Sequence, residues 1–183
     1  MDQKLYPINE ALLVACNIIE AIKSTCHRIE IAGSIRRKKP MVHDIDLVAW
    51  PIYENETVKD LFGFQLEGSQ PTPYKLFDAL QVISRNPKAR IITIQRNQDD
   101  IPLEIYLAEP DGSNYGALLQ MRTGSAEFNI KLASRAKRMG IHYKAGYGLF
   151  DKDGRRSDDG DYLSELGIFK RLGLEFIPPE ERV

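Results

Sequence analysis

Asp44 and Asp46 stand one residue apart in the run Val42-His-Asp-Ile-Asp-Leu47, shortly after Gly33-Ser34 and four successive cations, Arg36, Arg37, Lys38 and Lys39. Successive side chains of an extended strand point to opposite faces, so the two aspartates share one face while Ile45 and Leu47 take the other. Two carboxylates about 5 Å apart repel by about 0.8 kcal/mol in water and by about 3 kcal/mol at an effective dielectric near 20, so in a cleft they demand a cation. A Gly-Ser turn offers N–H groups and a hydroxyl to phosphate oxygens, and Arg37 adds a planar fork of donors. Anion site and metal site would then be neighbours. That suits a hard ion such as Mg²⁺, whose preferred shell is a few carboxylate oxygens plus the phosphates of a triphosphate substrate. Two duller explanations fit the same residues: an Asp-x-Asp alone is commonly solvated surface, and a run of cations is commonly a basic turn.

Secondary elements must hold these groups. Over residues 9–23, Leu12, Ala15, Cys16, Ile19 and Ile22 recur at helical spacing behind Pro7, which predicts an amphipathic helix. Residues 27–32 predict a strand ending at Gly33, and residues 44–50 a second strand ending at Pro51. A helix is expected over 54–63, a loop over 67–72, and a helix over 74–84 with Leu76, Phe77, Leu80 and Ile83 on one face. The β-rich runs 90–96 and 101–108, separated by Asn97-Gln-Asp-Asp100, predict an antiparallel hairpin. On its second strand Leu103, Ile105 and Leu107 alternate with Glu104 and Tyr106, turning Glu104 away from the aliphatic side.

After a hinge at 109–113, Ser125 or Thr123 can cap a helix running to Met139, with Phe128, Leu132, Ala136 and Met139 as its apolar stripe and Gly140 as its stop. Lys131, Arg135 and Arg138 share another face of it. The remainder predicts short strands from His142, a loop over 151–161, a helix near 162–172 and a tail at Pro178-Pro179.

The chain of 183 residues can bury one sizeable core or two small lobes sharing an interface. Its 43% apolar and 28% charged residues are ordinary for a globular protein, and no window approaches a membrane span. Residues 1–10 carry acids and lack an apolar signal core, so an intracellular protein is expected. Cys16 and Cys26, without a Cys-x-x-Cys pair, predict a reduced core thiol and a helix-end thiol. A net charge of -1 argues against binding nucleic acid over the whole surface and leaves room for local basic patches. His27, His43 and His142 are expected to be structural or solvent-facing.

Gly33-Ser34, Arg36-Arg37 and Asp44-Ile45-Asp46 together resemble the signature of nucleotidyltransferases of the DNA polymerase beta type, the X family. Further blocks add to the likeness: Thr123-Gly124-Ser125-Ala-Glu-Phe128-Asn129, then Tyr147-Gly148-Leu149-Phe150, then Pro178-Pro179-Glu180-Glu181-Arg182. The resemblance implies an α+β fold. A catalytic palm of mixed, largely antiparallel sheet with helices would cover residues 1–108, and a small α/β nucleotide-binding lobe, thumb or fingers by convention, would cover 109–183. It also implies a minimal polymerase core, in which nothing corresponds to the family's N-terminal lyase domain.

By the same resemblance Asp44 and Asp46 bind two Mg²⁺ or Mn²⁺ ions, and Glu104 is the third acid, orienting a primer 3'-hydroxyl. Gly33, Ser34, Arg37 and the backbone at His43 hold the triphosphate. Met121, Arg122, Gly124, Ala126 and Asn129 surround the nucleotide, and Lys131, Arg135 and Arg138 contact DNA. The implied substrates are a dNTP and gapped or primed DNA; the implied state is a monomer away from membranes.

Departures from the family pattern matter as much. Glu104 stands where members carry Asp, Met121-Arg122 replaces an aromatic pair that excludes a ribose 2'-hydroxyl, Ala126 replaces an acid and Ala133 an arginine, and Leu5 stands where an arginine is common. Short-gap filling in DNA repair is the expected activity. Untemplated or RNA-directed transfer is an alternative prompted by Met121, Arg122 and Ala133, and a non-catalytic binding module is one prompted by Glu104. Equally, Glu104 can be a solvated edge-strand acid and the basic cluster an ordinary helix face.

Overall fold

The computed structural model describes residues 4–54, 71–81, 90–94, 101–157, 161 and 163–182. In chain order these form β1 (Tyr6–Pro7), α1 (Ile8–Ile22), β2 (Cys26–Ile31), α2 (Gly33–Arg36), β3 (Met41–Val42), β4 (Ile45–Pro51), α3 (Tyr74–Ala79), β5 (Ile91–Ile94) and β6 (Leu103–Leu107). There follow α4 (Tyr115–Thr123), α5 (Ala126–Arg138), β7 (His142–Lys144), β8 (Gly148–Phe150) and α6 (Leu166–Arg171), with 3-10 turns at Lys23–Thr25 and Pro179–Glu181.

The central sheet has the order β2-β4-β6-β5. Its β2–β4 and β5–β6 pairs are antiparallel and its β4–β6 pair is parallel, so the fold is α+β with a mixed sheet. Alternation divides β4 and β6 between two cores. Ile45, Leu47 and Ala49 with Leu103, Ile105 and Leu107 form one face, packed with Ala11, Ala15, Ile18 and Ile22 of α1 and Leu76 and Phe77 of α3. On the opposite face Val48 and Tyr106 pack with Tyr115, Leu118 and Leu119 of α4. Apolar contact on both faces is what a parallel pair at the centre of a sheet requires. A third cluster joins Phe128, Leu132 and Ala136 of α5 to Leu149, Ile168, Phe169 and Leu172.

The expected strands and the β5–β6 hairpin are present within a few residues of their predicted bounds, and its turn at 97–100 lies outside the described residues. So does most of the helix expected over 54–63 and the loop over 67–72; their described ends, Glu54 and Thr72, form an isolated bridge. Of the helix expected over 74–84, α3 covers Tyr74–Ala79, and Ile83 is outside the described residues.

Three expectations are corrected. The buried stripe of α1 is Ala11, Ala15, Ile18 and Ile22, while Leu12 and Cys16 face solvent, because small alanines let the helix axis approach the sheet where Leu12 would hold it off. Neither cysteine is a core thiol: Cys16 is exposed and Cys26 is half-buried at the start of β2. The α5 stripe ends at Ala136, with Met139 at the helix terminus largely exposed.

Helix α4 was not expected at all. Tyr115, Gly116, Ala117, Leu118, Leu119, Gln120 and Thr123 are all buried, so it has no polar face to mark a helical period. Gly116 lies so close to Ser164 that a Cβ there would meet the Ser164 carbonyl oxygen at 2.2 Å. Helix α4 is thus enclosed between the central sheet and the C-terminal segment. No helix among the described residues is long and apolar enough to cross a membrane.

Candidate active site

Parallel pairing of β4 with β6 sets Asp46 directly beside Glu104, and Val48 beside Tyr106. Neighbouring strands lie about 4.8 Å apart, so both acids leave the sheet side by side on the face that α4 covers further along. Asp44 precedes β4 by one residue and falls on the same side by alternation. The Gly33 turn is tied to this edge by the Ala32 N–H donating to the Asp46 carbonyl at 2.8 Å. Gly33 has φ +58, and a Cβ on it would stand 1.9 Å from Asp46 Oδ2, so the position admits glycine alone.

Beyond the turn, the Ser34 hydroxyl and Arg37 Nε are buried and have no hydrogen-bond partner. Buried donors left without partners mark where a ligand's acceptors can go. The Arg37 guanidinium donates to the Thr123 carbonyl. Burial pulls its pKa down, opposed chiefly by the charge of Asp46.

The acids lie in one another's field. Burial raises Asp44, and the charge of Glu104 raises it further. Asp46 is pushed up to about 6 by burial, then by Asp44 and by Glu104, with Arg122 and the Tyr106 hydroxyl acting in the opposite direction. Three mutually repelling oxygen donors suit a hard divalent cation. Among the described residues, however, no group of three or more His, Cys, Asp or Glu side chains is arranged to hold a metal ion. Glu104 instead accepts a hydrogen bond at Oε2 from the Tyr106 hydroxyl.

The remaining candidates fall in several places. His43 is exposed, with Nδ1 3.3 Å from the Lys4 carbonyl oxygen. Arg122 lays its guanidinium 3.6 Å from the centre of the Tyr106 ring, and Met121 is half-buried beside it. Gly124, at φ +69, passes close to Arg37, and Ala126 opens α5 with its side chain exposed. The Ser125 side chain caps α5 by accepting from the Phe128 N–H at 3.2 Å.

Both ends of the Asn129 amide are engaged within the fold. Its Nδ2 donates to the Met121 carbonyl at 2.8 Å and its Oδ1 accepts from Gln120 Nε2 at 2.8 Å, while Gln120 Oε1 accepts from the Tyr143 hydroxyl at 2.7 Å. Lys131 and Arg138 are exposed on α5. Arg135 turns elsewhere, donating to the Leu172 carbonyl at 2.6 Å and the Gly173 carbonyl at 3.2 Å, where it closes the C-terminal end of α6.

The four-cation run is not simply a solvated turn. Arg36 donates to Thr123 Oγ1 at 2.6 Å and pairs with Glu165 at 2.8 Å, and Lys38 pairs with Glu180 at 2.7 Å. Glu165 is also paired with Arg182, at 2.6 Å, and Arg182 is completely buried between the rings of Phe128, Phe169 and Phe176. The presumed tail at Pro178-Pro179 is therefore the approach to a buried cation. Sequence reasoning assigned no part to Glu165, Gln120 or Tyr106. Only Tyr106 carried a signal, its place two residues after Glu104 on the same face of a strand.

Residues 118–183 match the family described as DNA polymerase beta thumb. The match takes in most of α4, α5 and everything after them, and it relates this part of the chain to X-family DNA polymerases, pointing to a DNA-binding role. Asp44, Asp46 and Glu104 lie outside the matched residues. No curated protein matches the chain.

Proposed function

We propose that this chain is an X-family DNA polymerase that adds dNTPs to a primer 3'-hydroxyl on gapped or primed DNA, with residues 1–108 as palm and 109–183 as nucleotide-binding lobe. The observation that carries it is the register Asp46 to Glu104 beside the Gly33 turn, where buried Ser34 and Arg37 donors lack partners. The thumb match over residues 118–183 agrees with that assignment from an independent part of the chain.

In this proposal Asp44, Asp46 and Glu104 hold two Mg²⁺ or Mn²⁺ ions, which when bound lower the hydroxyl's pKa and neutralise the leaving pyrophosphate. Glu104, beside Asp46 on the neighbouring strand, would orient the primer hydroxyl. Ser34 and Arg37 would take the terminal phosphates, and the absence of a side chain at Gly33 lets the Asp46 carboxylate lie against the turn that carries them. Lys131 and Arg138 contact the DNA backbone.

Primer extension on single-stranded, primed and gapped substrates tests the proposal. Gapped DNA should be extended, and Asp46→Asn should reduce extension by about 1000-fold, the loss of several kcal/mol of charge stabilisation. Equal extension by the variant would remove these carboxylates from the mechanism. The engagement of Asn129 inside the fold favours a second possibility, untemplated tailing, because one donor and one acceptor site of its amide are already held by Met121 and Gln120 and the side chain is tied down away from an incoming base. In that case, removing the template strand leaves rate and base choice unchanged.

A further inference from the structure

Away from the carboxylates, positive charge gathers around the end of α5. Residues 131–156 carry eight Lys and Arg against two Asp, in a chain whose net charge is -1, so this field belongs to one part of the surface. A cavity of about 600 Å³ opens there, between the end of α5, the β7–β8 ribbon and the turn that follows it, and Lys137, His142, Lys144, Phe150 and Lys152 line it. Its volume falls in the range of small-molecule pockets, about 300 to 1,000 Å³. Alternation sorts the ribbon: Leu149 belongs to the cluster around α5 and Tyr143 packs against it. The paired residues His142 and Phe150, with Lys144 beside them, carry the opposite face, the one that lines the cavity.

The lysines come from three elements. Lys137 lies in the last turn of α5, Lys144 ends β7, and Lys152 lies against the helix end at Gly140, where a Cβ would meet its Cε at 3.4 Å. Lys144 Nζ stands 4.2 Å from the centre of the Tyr147 ring. None of the three lysines forms an ion pair among the described residues. The acid that lines the cavity, Asp151, spends Oδ1 on the N–H groups of Asp153 and Arg155, at 3.0 and 2.9 Å. The helix end does not occupy the lysines either, because the Ala136 and Lys137 carbonyls accept from the Ile141 and Gly140 N–H groups. Three like charges around one concavity repel each other until an anion enters. Phe150, half-buried on the same face, adds what a bare phosphate does not need: a flat ring on which an unpaired base can stack. In a duplex the bases are stacked on one another, and their faces are closed to such a ring.

We propose that this cavity binds a single-stranded stretch of nucleic acid, with backbone phosphates on Lys137, Lys144 and Lys152 and a base stacked on Phe150 beside His142. The site uses none of Asp44, Asp46 and Glu104 and needs neither a metal ion nor a nucleotide. It therefore stands or falls apart from the nucleotidyl-transfer reading above.

Fluorescence anisotropy of a labelled oligothymidylate of about 12 nucleotides, with the full chain in EDTA and without dNTP, tests this. Lys137→Gln/Lys144→Gln/Lys152→Gln should weaken binding about 10-fold and flatten the slope of log affinity against log salt by about 2, three phosphates at about 0.7 each. Lys23→Gln/Lys75→Gln, at the end of α1 and in α3, should cost less than about 2-fold. An abasic phosphodiester of the same length should bind about 10-fold more weakly than the oligothymidylate, and Phe150→Leu should erase that difference. If Phe150→Leu does not fold by circular dichroism, the abasic comparison on the parent protein decides the stacking. Unchanged oligothymidylate binding by the triple variant overturns the proposal, as does an equal loss for blunt duplex or equal binding of the abasic strand. So does displacement of the strand by inorganic phosphate as readily as by unlabelled oligothymidylate at matched phosphate concentration, which would leave a simple anion site.

Discussion

Asp46 carries the heaviest electrostatic load of the candidate residues. Its carboxyl is raised from 3.8 to about 6 by burial and then by Asp44 and Glu104, so the folded protein holds this proton more tightly than the unfolded chain does. The sign follows from linkage: without metal, the contribution of Asp46 to stability is most favourable below pH 3.8 and is lost as pH rises through the window from 3.8 to about 6. A shift of this size corresponds to at most about 3 kcal/mol at neutral pH. Asp46→Asn removes the buried charge, so in EDTA its melting temperature should exceed that of the parent at pH 7.5 and approach it near pH 4. Scanning fluorimetry at the two pH values reads this directly, and a lower melting temperature for the variant at pH 7.5 would show that the acids are not mutually strained. Asp44-Ile-Asp46 was legible beforehand because strand alternation is a strict period of two. The Tyr106–Arg122 stack was not, because it joins residues from different elements and no local period relates them.

At the level of elements, α5 shows how one basic stripe divides its labour. Lys131, Arg135 and Arg138 share a face by spacing, which is what made all three candidates for DNA contact, but Arg135 reaches the last carbonyls of α6 and its surroundings. Arg135→Ala should lower stability by about 1 to 3 kcal/mol in urea unfolding, as loss of a charge-assisted hydrogen bond does, while Lys131→Ala and Arg138→Ala should each stay within about 0.5 kcal/mol. Equal effects at the three positions would refute this division. The boundaries of α5 were visible through Ser125 and Gly140, both of which act as expected at its ends. By contrast α4, buried on every side, offered no alternation of polar and apolar positions, and the packed stripe of α1 was displaced because alanines outcompete leucines where two backbones approach closely.

Across the whole molecule, the most consequential contact is one that charge counting could not locate. Glu165, 3% exposed, stands between Arg36 from the Gly33 turn and Arg182 near the end of the chain. Removing its carboxylate leaves two cations facing each other in a low-dielectric setting, so Glu165→Ala should cost about 3 to 5 kcal/mol. Chemical denaturation measures this, and a loss below 1 kcal/mol would mean that water reaches the arginines. The cost would reach the candidate site as well, since Arg36 and Arg37 are consecutive and both bond to Thr123.

Parallel strands cannot be joined by a tight turn, so β4 and β6 meet only after a long stretch of chain has crossed back, with β5 added outside them. Closing that excursion carries an entropic toll that local helices such as α1 and α5 do not face, and pairings of this kind form slowly. Asp46 and Glu104 are neighbours solely through this pairing. During synthesis or refolding, helical signal should therefore return before Asp46 and Glu104 come together, making the juxtaposed acids one of the last features to mature.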